Sequence, residues 1–220
     1  MDERKIFKLA YTTDVERFAS VPLARQPGHE RRLLYVGQLI ERKGLTQFVQ
    51  ALARWADTNA AERVEFVLAG EGPLRETLER LPVPENLQIS FIGPVAYSDL
   101  PKLYGEAGVF AFPTLVDTWG VVVNEAMAAG LPVLGSVHAQ AVFEMVRHGY
   151  NGWTFHAGDQ EETFRALDHA LRASPAELDQ MREYARQTAL SLTPQHVTEL
   201  IDDAIQACVT GRAECRFADV

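Results

Sequence analysis

Cysteine is close to absent from this chain: Cys208 and Cys215 are the only two among 220 residues, and both fall near the C-terminus. Two late thiols cannot form a disulfide framework, so the composition points to a reducing compartment. Long apolar runs are missing as well. None approaches the ~20 residues of a membrane-spanning helix, and the opening MDERKIFKLAYTT lacks an apolar stretch of signal-peptide length. Basic charge is in deficit, with 21 Lys and Arg against 30 Asp and Glu and a net charge of −9. That balance argues against a nucleic-acid partner, though it leaves room for a local basic pocket. The six histidines, His138, His148 and His156 among them, show no metal-ligand spacing and stand far from the cysteines. No metal site is expected. There is no G-x-S-x-G elbow and no Walker lysine, and AGEGP (Ala69–Pro73) falls short of G-x-G-x-x-G. Gly70 and Gly72 therefore read as a tight turn rather than a phosphate cradle. The absences together describe a soluble cytoplasmic protein with no membrane segment.

What is present suits one large globular domain, or one domain with an appended element, since 47% of the residues are hydrophobic and 23% charged. Apolar, β-rich runs occur at Arg32–Val36, Val64–Ala69, Leu87–Ile92, Val109–Phe112, Pro132–Gly135 and Gly152–Phe155. Between them lie stretches of helical spacing at Leu45–Trp55, Leu74–Leu81, Asp99–Glu106, Val121–Ala129 and Ala141–His148. Such alternation predicts an α/β fold: a Rossmann-like parallel sheet of about six strands, with helices on both faces. Further helices follow at Glu161–Ala173, Pro175–Ala189 and Pro194–Cys208. Ser174 and Thr193 each precede a proline as N-cap residues. The expected organisation is a linker or crossover segment over residues 1–30, a domain over 31–192, a C-terminal helix over 193–210 and a frayed tail over 211–220. A sheet that begins near Arg31 and ends in helices looks like the second half of something larger.

The stretch Phe112–Val133 (FPTLVDTWGVVVNEAMAAGLPV) reads as strand, loop, helix, turn and strand. Asp117 lies in its loop, Gly120 opens its helix, and Glu125 follows eight positions after Asp117. Helix N-termini at the mouth of a parallel sheet are where α/β proteins hold phosphorylated ligands. Backbone amides of Trp119, Gly120 and Val121 are the natural donors there. Arg42 and Lys43 form a basic pair just after the first strand, near a helix start whose dipole favours acids. That mismatch fits an anion between them. A solvated basic pair is the plain alternative, as are a capping role for Asp117 and a solvated one for Glu125.

Five segments in register carry a family resemblance: GQLIERKG (Gly37–Gly44), AGEGP, FIG (Phe91–Gly93), DTWGVVVNEAMAAGLPV (Asp117–Val133) and the run from Glu144 to Gly152. Over about residues 12–205 the chain resembles the C-terminal, donor-binding domain of a family 4 retaining glycosyltransferase of the GT-B fold. The resemblance implies an NDP-sugar donor, an N-terminal acceptor-binding domain in the same or a separate chain, and no metal or other cofactor. It further implies that this half alone is inactive, and that any peripheral attachment to the inner membrane runs through the other domain. DVERF (Asp14–Phe18) resembles the inter-domain junction. By the same resemblance Lys43 grips the diphosphate, Glu125 the ribose diol and Asp117 the sugar ring; these three are the catalytic candidates. Gln38, Arg42, Gly93, Trp119, Gly120 and Val121 complete the donor-binding set, Ile92–Val95 could pack on the base, and Glu144 could touch the sugar or diphosphate. Two departures stand out. Gln38 replaces the arginine that most relatives place after the first glycine, and Gln140–Ala141 replaces paired glycines, so a backbone nest is not expected at that turn. Aspartate at 117, one methylene shorter than glutamate, bears on which sugar fits. The alternatives are a non-catalytic sugar-nucleotide-binding subunit or sensor, and a GT-B-like sugar-nucleotide epimerase.

Overall fold

The computed structural model describes residues 10–210. Its six strands are β1 (Arg32–Val36), β2 (Val64–Ala69), β3 (Leu87–Gly93), β4 (Val109–Phe112), β5 (Val133–Ser136) and β6 (Gly152–Phe155). All neighbours pair in parallel, in the spatial order β3-β2-β1-β4-β5-β6. β4 and β5 are buried along their whole lengths and β1 over its three central residues, as expected of strands covered on both faces. The order reverses direction between β1 and β4, which opens a crevice beyond their carboxyl ends.

The helices are α1 (Val15–Ala19), α2 (Leu45–Thr58), α3 (Arg75–Glu79), α4 (Leu100–Gly105), α5 (Val121–Ala128), α6 (Gln140–Met145), α7 (Gln160–Arg172), α8 (Pro175–Leu190) and α9 (Pro194–Thr210). Right-handed crossovers leaving β1 and β4 in opposite directions put their helices on opposite faces. On one face α2 packs with α7, and Phe48 meets Phe66 and Phe155 at centroid distances of 5.4 and 6.3 Å. On the other, α5 packs with α1 and α8. Phe48 and Trp55, spaced seven apart on α2, are each 1% exposed and so belong to the core. α8 begins as read, with Ser174 and Glu177 forming a capping box ahead of Pro175. Two helices are shorter than their apolar spacing predicts. α6 stops at Met145 because the Asn151 side chain accepts from Arg147 N (2.7 Å) and donates to Met145 O (3.0 Å), drawing the chain out of the helix. α3 covers only Arg75–Glu79.

The segment read as an inter-domain linker or crossover packs, over its described part, against the sheet-bearing domain. Asp14 caps α1 by accepting from Arg17 N at 3.2 Å. Val15, Phe18 and Val21 are buried, and Phe18 meets Tyr104 edge-on at 5.6 Å. Thr12 Oγ1 donates to Leu192 O at 2.6 Å, joining this segment to the turn before α9. α9 itself buries none of its residues. The tail read over 211–220 lies outside the described residues. Among the described residues no helix is long and apolar enough to cross a membrane.

The loops after β1 and β4 touch at Gly44, which has φ 67° and would place a Cβ 2.2 Å from Pro113 O. Gly149 has φ 75° but open space around it. Alanine at 149 meets only the left-handed penalty of about 1–2 kcal/mol. Gly44→Ala adds a backbone collision and should cost at least about twice that of Gly149→Ala, as read from urea unfolding midpoints; equal losses would contradict the tight approach.

Candidate functional site

The crevice is built from two loops. After β1 the chain passes Gly37–Ile40 and tightens into a 3-10 turn, Glu41–Lys43. After β4, Pro113 ends the strand and residues 113–120 lead to α5. Leu115 N donates to Arg42 O at 2.8 Å, and Thr114 Oγ1 lies 3.1 Å from the same carbonyl and 2.9 Å from Val116 O. This lacing brings Arg42, Lys43 and Asp117 together across 74 residues of sequence. Lys43 Nζ forms an ion pair with Asp117 Oδ2 and lies 5.0 Å from the centre of the Phe112 ring. Arg42 Nη1 is 3.7 Å from the same oxygen and donates to Val116 O at 3.3 Å. Asp117 Oδ1 accepts from Trp119 N at 3.3 Å, and Asp117 N donates to His138 O at 3.1 Å. Lys43 is 8% exposed. An ammonium so far removed from water needs a paired anion, and Asp117 provides it.

Glu125 is disposed differently. Gly120 is the N-cap of α5, at φ 97°, with Phe112 where a Cβ would point, so α5 starts directly over the β4 aromatic. One turn further, Glu125 is 5% exposed and its Oε2 accepts from Tyr104 OH at 3.0 Å. Burial raises the carboxyl pKa, and the phenol hydrogen bond opposes that rise. Tyr104 is held far above its usual range by burial and by the Glu125 charge. The alternative of a solvated Glu125 does not hold. The two carboxylates thus sit in contrasting settings: one neutralised by cations in the loop, the other in the body of the domain beside a neutral donor.

The remaining candidates spread along the carboxyl edge of the sheet. Gln38 is exposed, while its carbonyl accepts from Tyr35 OH at 2.8 Å. Gly93 ends β3 and its carbonyl accepts from Gly70 N at 2.8 Å. Gly72 presses on the β1 loop, where a Cβ would lie 2.3 Å from Leu39 O, so AGEGP is a close-approach turn. Val121 is partly exposed at the start of α5, and Ile92, within β3, is 46% exposed. Glu144, on α6, accepts from Gln140 Nε2. Three participants escaped the sequence reading. Tyr104 lies 21 residues from Glu125, with no spacing signal to join them. His138 and His156, at the ends of β5 and β6, have ring centroids 5.9 Å apart, and His156 Nδ1 lies 3.0 Å from Glu162. Among the described residues no group of three or more His, Cys, Asp or Glu is arranged to hold a metal ion.

A Rossmann-like domain with a cationic pair at its switch point places that pair where open α/β sheets form their ligand crevice. More closely, the chain belongs to the glycosyl transferases group 1 family, whose model matches residues 23–188. It is 33% identical over 129 residues to an uncharacterised glycosyltransferase of Methanocaldococcus jannaschii, covering 57% of this chain and 32% of that protein. It is 31% identical over 155 residues to a GDP-mannose-dependent alpha-(1-6)-phosphatidylinositol monomannoside mannosyltransferase of Mycobacterium tuberculosis, covering 63% and 40%. The chain therefore spans about a third to two fifths of the length of these relatives. In fold it resembles a variant of S. aureus TarM solved with fondaparinux, alpha-GlcNAc-glycerol and UDP, at a TM-score of 0.74 and 13% identity, covering 90% of this chain and 39% of that one. The doubly wound architecture is that of one half of a GT-B glycosyltransferase.

The Glu125 setting has a signed pH consequence. A raised native pKa means that the stability linked to its protonation is complete below the usual carboxylate range and is lost as pH rises through the raised value. Glu125→Gln keeps an acceptor for Tyr104 and cannot ionise. Between about pH 4 and pH 8, the stability of this variant relative to the parent should climb with pH in urea unfolding. A flat difference would show that Glu125 titrates as if solvated.

Proposed function

We propose that this chain is the donor-binding half of a retaining glycosyltransferase and binds an NDP-sugar in the crevice beyond β1 and β4. The observation that carries the reading is the pairing of Lys43 and Arg42 on the Asp117 carboxylate at the strand-order reversal. Two cations fixed around one carboxylate form a seat for a diphosphate, which brings the same sign of charge and more acceptors. In this reading the diphosphate takes the place of Asp117 on Lys43, and the freed aspartate turns to a hydroxyl of the donor sugar. Trp119, Gly120 and Val121 offer amides at the start of α5 to the phosphate oxygens. Glu125, one turn below, accepts from the ribose diol with the oxygen that Tyr104 does not use. Gln38 adds an uncharged donor where an arginine would add a further positive charge, and Gly93 lets the nucleotide approach the β3 edge.

For the chemistry, the bond between the anomeric carbon and the leaving phosphate oxygen breaks on the same face at which the acceptor hydroxyl arrives. The hydroxyl oxygen bonds to that carbon and its proton passes to the departing phosphate. Lys43 and Arg42 stabilise the charge that grows on the phosphate, so the step needs no metal ion. The acceptor is held by a second, N-terminal domain, the domain 31–192 reads as the donor unit, and DVERF joins the two. The enzyme is read as cytoplasmic, with any membrane attachment carried by the second domain and polysaccharide assembly as its setting. The GDP-mannose dependence of the mycobacterial relative and the UDP in the TarM structure support the donor class.

Titration with UDP-, GDP- and ADP-sugars should find one that binds the parent chain, with Lys43→Ala weakening it by at least about tenfold and Glu125→Ala also weakening it. No binding by any of the three, or variants that match the parent, would remove the assignment. The 220 residues alone should show little or no transfer, and a matched N-terminal domain should restore it. Efficient transfer by this chain alone would sink the half-enzyme reading, and interconversion of the donor without acceptor would favour an epimerase.

A further inference from the structure

One side chain outside the donor set controls the shape of the loop that carries Asp117. Asn124 is 0% exposed on α5, directly before Glu125. Its Oδ1 accepts from Trp119 Nε1 at 2.8 Å, and its Nδ2 donates to Tyr11 O at 3.1 Å. Trp119 is 6% exposed and holds three further connections. Its backbone N donates to Asp117 Oδ1, its backbone O accepts from Ala141 N at 3.0 Å, and its ring lies 5.7 Å from that of Tyr11. Trp119 therefore joins the Asp117 loop, the start of α6 and the segment before α1. An indole of that size has one polar atom, and the orientation of the ring in the core is fixed by the partner of that atom. Only a side chain with both an acceptor and a donor can satisfy the indole N–H and the Tyr11 carbonyl at once, which asparagine does and a leucine of similar volume does not.

We infer that Asn124 is a positioning residue for donor binding: by fixing the Trp119 indole it sets the loop 113–120, and with it the Asp117 carboxylate and the amides at the start of α5. This rests on the donor-site reading above. The anchor to Tyr11 O holds the Asn124 amide in the one orientation that offers its oxygen to the indole. The loop geometry is thereby shared with the segment before α1 through Tyr11.

The test uses the full chain with UDP, GDP and ADP as probes. NMR hydrogen exchange follows the indole protons, with that of Trp119 identified by its loss in Trp119→Phe. In the parent this proton should exchange slowly, and in Asn124→Leu rapidly. The Trp55 indole, bonded to Asp168 Oδ1 at 2.9 Å, serves as an internal control and should not change. Affinity for the bound nucleotide should fall about tenfold in Asn124→Leu and in Trp119→Phe, with the double variant no weaker than either single one. Trp119→Phe keeps an aromatic ring and the backbone while removing the indole N–H, and carries the test should Asn124→Leu fail to fold. A freely exchanging Trp119 indole in the parent overturns the inference. So does parent-like affinity in a folded variant, or a double variant whose losses add. If the parent binds none of the three nucleotides while its Trp119 indole stays protected, the donor-site reading has failed, and this inference falls with it although the hydrogen bond stands.

Discussion

A lysine ammonium with only 8% of its surface exposed cannot stand alone, and the crevice is organised around that constraint. The counter-charge comes from Asp117, on a loop 74 residues away, and can arrive only if β1 and β4 are neighbours. That adjacency is the reversal point of the doubly wound sheet. The same demand explains why the backbones of the two loops run in contact, with Arg42 O accepting from Leu115 N, and why a glycine stands opposite the Pro113 carbonyl. Charge pairing, backbone contact and strand order are three views of one arrangement.

The two carboxylates of the stretch are set apart by their surroundings. Asp117 is held by two cations and a backbone amide at the lip of the crevice. Glu125 sits one turn into α5, where burial makes ionisation costly and a tyrosine hydroxyl offsets part of that cost. The Asp117 oxygens are both engaged, one by the cations and one by the Trp119 amide. Neither group is placed as a free base, which agrees with a site that works by holding charge and geometry rather than by moving protons through side chains.

The fold was largely legible because its signals are local. Periodicity located all six strands within a residue or two, and the capping sequence Ser174–Pro175 located the start of α8. What escaped was set by contacts between distant residues. The Asn151 side chain ended α6 early, and the burial of Val15 and Phe18 in the segment read as a linker or crossover had no local signal. At the site, Arg42, Lys43 and Asp117 were visible as residue types in suggestive positions. Their mutual pairing was not, because spacing along the chain carries no information about a partner 74 residues away. Tyr104 and Asn124 were invisible for the same reason: each matters through one hydrogen bond to a residue that pattern reading treats separately.

The hydrogen bond from Thr12 to Leu192 has a topological meaning. The chain enters the sheet-bearing body and leaves it again at the same place, with the side chain of residue 12 on the carbonyl of residue 192. Because α1 also packs on α8, entry and exit form a single patch of the body rather than two separate ends.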